Sequence, residues 1–143
     1  EVRGGSIFIR GNILALNLDL SDGWFETKDL GEFVDEKLVV IGRTDDVIIS
    51  GGENLSLNSV ESILNESFPG TQCAAFSVDD PQWGQTLHIA FVGQADREAI
   101  ATVLESKIGT FAKPKGIHFV NSLPLLGIGK VDRKRLAQEL SNE

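Results

Sequence analysis

The stretch Asp46-Val47-Ile48-Ile49-Ser50-Gly51-Gly52-Glu53-Asn54-Leu55-Ser56-Leu57-Asn58-Ser59-Val60-Glu61 is where the texture of this chain changes. Val47-Ile48-Ile49 is a short run of β-branched residues and predicts a strand. Gly51-Gly52 breaks it, because glycine tolerates backbone conformations other residues avoid. A helix is then expected to begin at Asn58, with Glu61 three positions on as its capping-box partner. Val60, Ile63, Leu64 and Phe68 fall on one face of that helix, and Pro69-Gly70 ends it.

Downstream, the same alternation continues. Cys73 to Val78 predicts a buried strand, Asp79 to Gln85 a loop, and Thr86 to Val92 another strand. Asp96 is placed to cap a second helix with the apolar stripe Ala99, Ile100, Val103, Leu104 and Ile108. Ile117 to Val120 predicts a strand, Pro124 to Gly129 a loop, and Asp132 caps a last helix carrying Leu136 and Leu140. Upstream, helix formers are sparse. Ser6 to Arg10 and Ile13 to Leu18 predict strands joined at Gly11-Asn12. Gly31 to Val34 and Lys37 to Gly42 predict a second hairpin around Asp35-Glu36. The expected class is therefore α+β: a small β subdomain over 1–44, then an α+β domain over 45–143 whose helices pack on a mostly antiparallel sheet. The subdomain is too short to hold a convincing core by itself.

Composition narrows the function. Thirteen Lys and Arg against 21 Asp and Glu give a net charge of −8. That balance argues against a nucleic-acid partner. No apolar run approaches the roughly 18 residues a membrane span requires, and one cysteine, Cys73, allows no internal disulfide. A soluble, cytoplasmic protein is expected. The chain starts Glu1-Val2-Arg3 and has no methionine, so a fragment of a longer protein is expected.

Several residues could carry chemistry. Gly127-Ile128-Gly129-Lys130 combines a backbone that can approach a ligand with a flexible cation suited to phosphate or carboxylate. Its spacing is not that of a Walker loop. Read alone, it is more readily a glycine-rich turn before a helix with an ordinary surface lysine. Gly42-Arg43-Thr44-Asp45-Asp46 lies at the change of texture and suits a hinge or a solvated turn. Ser50-Gly51-Gly52-Glu53-Asn54 suits a close ligand approach or a plain loop. Asp29 could accept bonds from sugar hydroxyls. His88 and His118 are expected to be ordinary strand residues, Cys73 a small core residue, and no metal site is expected.

The order and spacing of these segments say more than each alone. Gly23-Trp24-Phe25-Glu26-Thr27-Lys28-Asp29-Leu30-Gly31, Gly42 through Asn54, Val60-Glu61, and Gly127-Ile128-Gly129-Lys130-Val131-Asp132-Arg133 together resemble the C-terminal part of the adenylate-forming acyl-CoA synthetases. Within that superfamily the motif forms and compact end look like the bacterial 2-succinylbenzoate-CoA ligases of menaquinone synthesis. The resemblance implies a role for each motif. Lys130 would be the lysine essential for adenylation. Asp29 would bind the ribose hydroxyls of ATP, and Arg43 its ribose and phosphate. Asp45 would be the hinge of a mobile cap, and Gly51 and Gly52 would line the tunnel for the pantetheine of CoA. It also implies a carboxylic acid, ATP and CoA as small-molecule partners, with Mg²⁺ held mostly by a missing N-terminal domain. On that view the fragment alone is catalytically dead. The sequence departs from the pattern at Lys28, where glycine is usual, and at Pro124-Leu125-Leu126, where Pro-Lys-Thr is usual. Another acyl-CoA synthetase, acting on a fatty or aryl acid, and a free-standing acidic α+β interaction module that retains the lysine loop are the competing expectations.

Overall fold

The computed structural model describes residues 1–12, 14 and 18–140. The chain divides into two compact units, Glu1–Val47 and Ile48–Glu143. Among the described residues no helix is long and apolar enough to cross a membrane.

The first unit is a four-stranded antiparallel sheet in sequential order: β1 (Val2–Arg3), β2 (Ser6–Ile9), β3 (Phe25–Val34) and β4 (Lys37–Arg43). Asp35 and Glu36 turn β3 into β4 with φ of 49° and 63°. Both central residues are left-handed, as a type I′ turn requires, and its twist matches that of the flanking strands. The expected hairpin between Ser6–Arg10 and Ile13–Leu18 is corrected. β2 pairs instead with β1 and with β3. Ile13, Ala15, Leu16 and Asn17 lie outside the described residues, and Leu14 and Leu18 belong to no strand. β3 also starts well before the expected Gly31, so Asp29 sits on a strand. Ile7 is buried against Gly31, where an added Cβ would come within 2.6 Å of the Val39 carbonyl oxygen. That approach explains the glycine. Arg3 and Arg10 both stack on Trp24, at 5.3 and 4.5 Å from the ring, so much of this small sheet is held by cation–π and strand bonds instead of a deep core. A 3₁₀ turn, Thr44–Asp46, follows β4.

The second unit runs β5 (Val47–Ser50), β6 (Glu53–Ser56), α1 (Leu57–Ser67), β7 (Gln72–Asp80), β8 (Gly84–Val92), α2 (Arg97–Lys107), a 3₁₀ turn at Thr110–Ala112, β9 (Gly116–Phe119) and α3 (Arg133–Leu140). β7 and β8 form a long antiparallel hairpin, β5 meets β8 at Ser50 and Gly84, and β9 joins β8 in parallel. Successive residues of a strand face opposite sides, and here both sides are covered. Ala75, Leu87, Ile89 and Phe91 pack with Val60 and Leu64 of α1 and Ile100 and Leu104 of α2. Ala74, Phe76 and Ala90 pack on the other face with Leu136 of α3. The continuous apolar run Cys73–Phe76 follows from that double burial. The expected loop at Asp79–Gln85 shortens to a turn, because the ladder continues to Asp80 and Gly84.

Asp96 caps α2 by accepting from the Ala99 N–H at 3.0 Å, and Asp132 accepts from the Arg135 N–H at 3.0 Å. The first helix differs from expectation. Ser56, not Asn58, is its cap and accepts from the Ser59 N–H at 3.3 Å. Glu61 has no capping role because its carboxylate is engaged by groups far along the chain. Phe91 is fully buried and meets Phe68 edge-on at 5.8 Å. Phe91→Ala is expected to lower stability by about 3–5 kcal/mol, whereas Val40→Ala, at an exposed position, should stay within about 0.5 kcal/mol. Chemical denaturation checks both.

Candidate functional site

In the first unit the β3–β4 register sets Asp29 opposite Arg43. Thr27 prepares that position: its hydroxyl donates to the Ile7 carbonyl at 2.7 Å and accepts the Asp29 N–H at 3.1 Å. Arg43 then reaches two carboxylates. Its Nη1 donates to Asp29 Oδ1 at 3.4 Å. Its Nε and Nη2 fork onto Asp45 at 2.8 and 3.1 Å. Lys28 Nζ lies 3.8 Å from the same Asp45 carboxylate. The Arg43 hydrogen bond is the main cause holding the Asp45 carboxyl below its usual range, and Asp45 in turn raises the Arg43 guanidinium. Asp29 and Arg43 side chains each remain 40% exposed, so a ligand can displace water from both. Three residues singled out in the sequence thus meet in one cluster. Lys28 joins it, although the sequence marked it only as a departure from a pattern.

In the second unit Gly51 and Gly52 have φ of 59° and 88° and make the two-residue turn between β5 and β6. The sequence suggested a loop running into a helix; β6 was not foreseen. A Cβ on Gly51 would lie 3.7 Å from the Trp83 ring. Trp83 is presented by a turn in which the Asp80 carboxylate accepts the Gln82 and Trp83 N–H groups at 2.8 and 3.0 Å. Beside it lies an open groove of ≈ 580 Å³, lined by Ser50, Gly51, Trp83, Phe111, Lys113 and Lys115 among others. An aromatic pair with two lysines suits a flat ring carrying phosphates. Sequence reasoning missed Trp83, Lys113 and Lys115. The pair of lysines flanking Pro114 was the available sign, but only folding brings it to Gly51.

Lys130 occupies its own loop. The base is closed by a bridge between Leu125 and Val131 and by the Asp132 N–H donating to the Pro124 carbonyl at 2.8 Å. Within it the Leu126 N–H donates to the Lys130 carbonyl at 2.7 Å, and the Gly129 N–H to the Leu126 carbonyl at 2.8 Å. Gly129 has φ of 81°, which the turn needs. Ile128 at the tip and Lys130, opposite Leu126 next to the base, are both exposed. Among the described residues no hydrogen bond or ion pair holds the Lys130 ammonium.

His88 and His118 are more than strand residues: Nδ1 of one and Nε2 of the other are 3.1 Å apart across the parallel β8–β9 pair. Burial, then His118 and Lys115, hold the His88 imidazole below its usual range. Cys73 is buried and its thiol is pushed up to about 12, mainly by burial. It is not poised as a nucleophile. Among the described residues no group of three or more His, Cys, Asp or Glu side chains could hold a metal.

Residues 59–130 match the family described as the AMP-binding enzyme C-terminal domain. A 2-succinylbenzoate–CoA ligase of Bacillus licheniformis is 36% identical over 126 residues, which cover 85% of this chain and 26% of that relative. An o-succinylbenzoate CoA synthetase of Bacillus subtilis, solved with its acyl-adenylate intermediate, is similar with a TM-score of 0.73 and 29% identity over 82% of this chain and 25% of that one. An amide bond synthetase of Marinactinospora thermotolerans is similar with a TM-score of 0.75 and 29% identity over 85% of this chain and 26% of that one. This chain thus spans about a quarter of the length of the relatives it matches.

Proposed function

Because the chain belongs to the AMP-binding enzyme C-terminal domain family, we propose that it is the cap region of an ATP-dependent acid–CoA ligase that makes an acyl-adenylate and then an acyl-CoA thioester, with 2-succinylbenzoate as the acid. The observation that carries this reading is the family match over residues 59–130, whose last residue is the exposed lysine of the glycine loop. The names of the relatives support the choice of acid.

Each cluster has a chemical part on this reading. Asp29 accepts bonds from the ribose hydroxyls of ATP, and Arg43 donates to the ribose and phosphate. Adenylation drives a carboxylate onto the α-phosphate, and charge builds up as they react. Lys130 meets that charge with a mobile ammonium. Asp45 is the pivot about which the region beyond it exchanges one pose for another, with 1–44 completing the preceding adenylation domain. In the second pose Gly51 and Gly52 present backbone without side chains to a narrow pantetheine, and Trp83, Lys113 and Lys115 face the nucleotide end of CoA. Mg²⁺ on the ATP phosphates finds no ligand set among the described residues, so no step here runs through it. The compartment in which this happens is proposed to be the cytoplasm.

The test is acid-dependent pyrophosphate exchange, followed by CoA-dependent thioester release, in the whole protein that carries this chain. 2-Succinylbenzoate is expected to support both, ahead of fatty and aryl acids. No exchange with any acid would overturn the ligase reading and favour an interaction module. On the same reading Arg43→Ala should raise the KM for ATP about tenfold or more, since hydrogen bonds to charged groups are worth about 1.5–3 kcal/mol. Steady-state kinetics at varied ATP checks it.

A further inference from the structure

We propose that Glu61 and Arg133 form a positioning clamp for the Lys130 loop, an inference that rests on the adenylation role given to Lys130. Arg133 is the first residue of α3, one turn beyond Lys130. Its guanidinium donates from Nε to the Ala75 carbonyl at 2.9 Å and from Nη2 to Asn58 Oδ1 and Glu61 Oε1, each at 3.0 Å. Glu61 Oε1 also accepts the Ala75 N–H at 2.8 Å. Both side chains are largely buried, at 26% and 20% exposure.

Two consequences follow from that geometry. Ala75 is fully buried on β7, an edge strand of the sheet, and both its backbone groups are taken by side chains from α1 and α3. The edge is closed there without another strand, so the partners must hold their places to leave no buried backbone group unpaired. The same bonds fasten the start of α3 to α1 and β7. The body of α3 is held separately by Leu136, which is buried on the opposite sheet face from the α1–α2 cluster. Val131 and Leu123, which flank the loop, are only partly buried against the cluster around Leu136, so breaking the clamp loosens the segment carrying Lys130 more than the helix without releasing it from the sheet. The loop's own bonds, the one to the Lys130 carbonyl included, close it on itself and do not tie it to α1 or β7, so its placement on the domain falls to the clamp and to packing. A charge that acts on a transition state depends steeply on placement, and a misplacement of about 1 Å can cost about a hundredfold. This also accounts for Glu61's failure to cap α1.

The experiment uses the whole protein with Glu61→Leu, Glu61→Gln, Arg133→Lys and, alongside, Lys130→Ala. Adenylate formation and thioester formation from pre-made adenylate are measured separately, with hydrogen exchange at the Leu126 and Gly129 amides. Glu61→Leu is expected to slow adenylation about tenfold to a hundredfold through kcat, with the KM for ATP and thioester formation within about twofold. Its Leu126 and Gly129 amides should exchange faster than in the parent. Glu61→Gln keeps an oxygen for Ala75 and Arg133 and should fall between parent and Glu61→Leu, which keeps the test alive if the leucine variant does not fold. Arg133→Lys keeps the charge but not the fork and should behave like Glu61→Leu. Equal loss of both half-reactions in the Glu61 variants would make the pair merely structural and overturn the clamp, as would parent-like adenylation with parent-like exchange. Lys130→Ala separates the two ideas. If it leaves adenylation intact, the role of Lys130 fails, and the clamp's effect on adenylation fails with it, whatever the loop's exchange shows. If it abolishes adenylation while Glu61→Leu does not slow it, only the clamp fails.

Discussion

Replacing Lys130 with alanine is expected to abolish adenylate formation from acid and ATP while leaving thioester formation from pre-made adenylate and CoA largely intact. A unit charge about 4 Å from developing negative charge, in an effective dielectric of about 20, is worth about 4 kcal/mol. That corresponds to roughly a thousandfold in rate. The surroundings of Lys130 allow so selective a loss. Its loop is closed by backbone bonds at Pro124, Leu126 and Asp132, and the lysine side chain is exposed. Truncating it removes charge without removing a packing contact, so the fold and the second half-reaction should be indifferent. The measurement is pyrophosphate exchange beside thioester release in the same preparation. Equal loss of both would show that Lys130 does something other than meet charge in the first step.

Asp45→Pro is expected to retain adenylation and lose thioester formation. Proline fixes φ near −65°, and 3₁₀ residues such as Thr44–Asp46 have φ in the range of about −50° to −70°. Proline therefore suits the φ of such a turn at Asp45 and resists a large change in it, and the first half-reaction is the one expected to survive because adenylation precedes the swing. The substitution also removes the carboxylate held by Arg43 and Lys28, so Asp45→Ala is the necessary companion. The ion pairs are solvent-exposed and contribute little. Asp45→Ala should leave both half-reactions within a few-fold of the parent, and the difference between the two variants isolates the backbone lock. Gly51→Leu should give a similar split by another route. Its side chain would start 3.7 Å from the Trp83 ring and project into the groove, blocking a pantetheine without touching ATP. Its left-handed φ adds a strain of about 1–2 kcal/mol, which a denaturation midpoint would register. If Asp45→Pro leaves both half-reactions at parent rates, Asp45 is not the pivot.

Much of this fold was legible locally because its elements carry their own periodicity and caps. Asp96 and Asp132 cap the helices expected of them, since a cap bond spans only three residues. The apolar stripe of α2 and the runs of β7 and β8 appear where burial on one or both faces demands them. The readings that failed are those that depend on a distant partner. Asn58-x-x-Glu61 has the form of a capping box, but Arg133, 72 residues from Glu61, takes the carboxylate. Ser6 to Arg10 followed by Gly11-Asn12 has the form of a hairpin, but β3 pairs with β2 across a long connection. Gly51-Gly52 was visible as a break, while the strand after it was not, because Glu53–Ser56 lacks the composition of a strand and exists by pairing.

The sequence by itself determined the class of the fold, helices on a mostly antiparallel sheet, and the order of motifs by which the chain resembles its family. Both follow from residue types and short spacings, which act through local backbone preference and one-sided burial. Only the tertiary structure decided which charges meet. Strand register sets Asp29 against Arg43. The turn after β4 brings Asp45 to the same guanidinium and to Lys28. The packing of α3 on β7 delivers Arg133 to Glu61 and Ala75. Such contacts depend on distances of a few ångströms between residues far apart in the chain, and a pattern along the chain contains no measure of that distance until the sheet has formed.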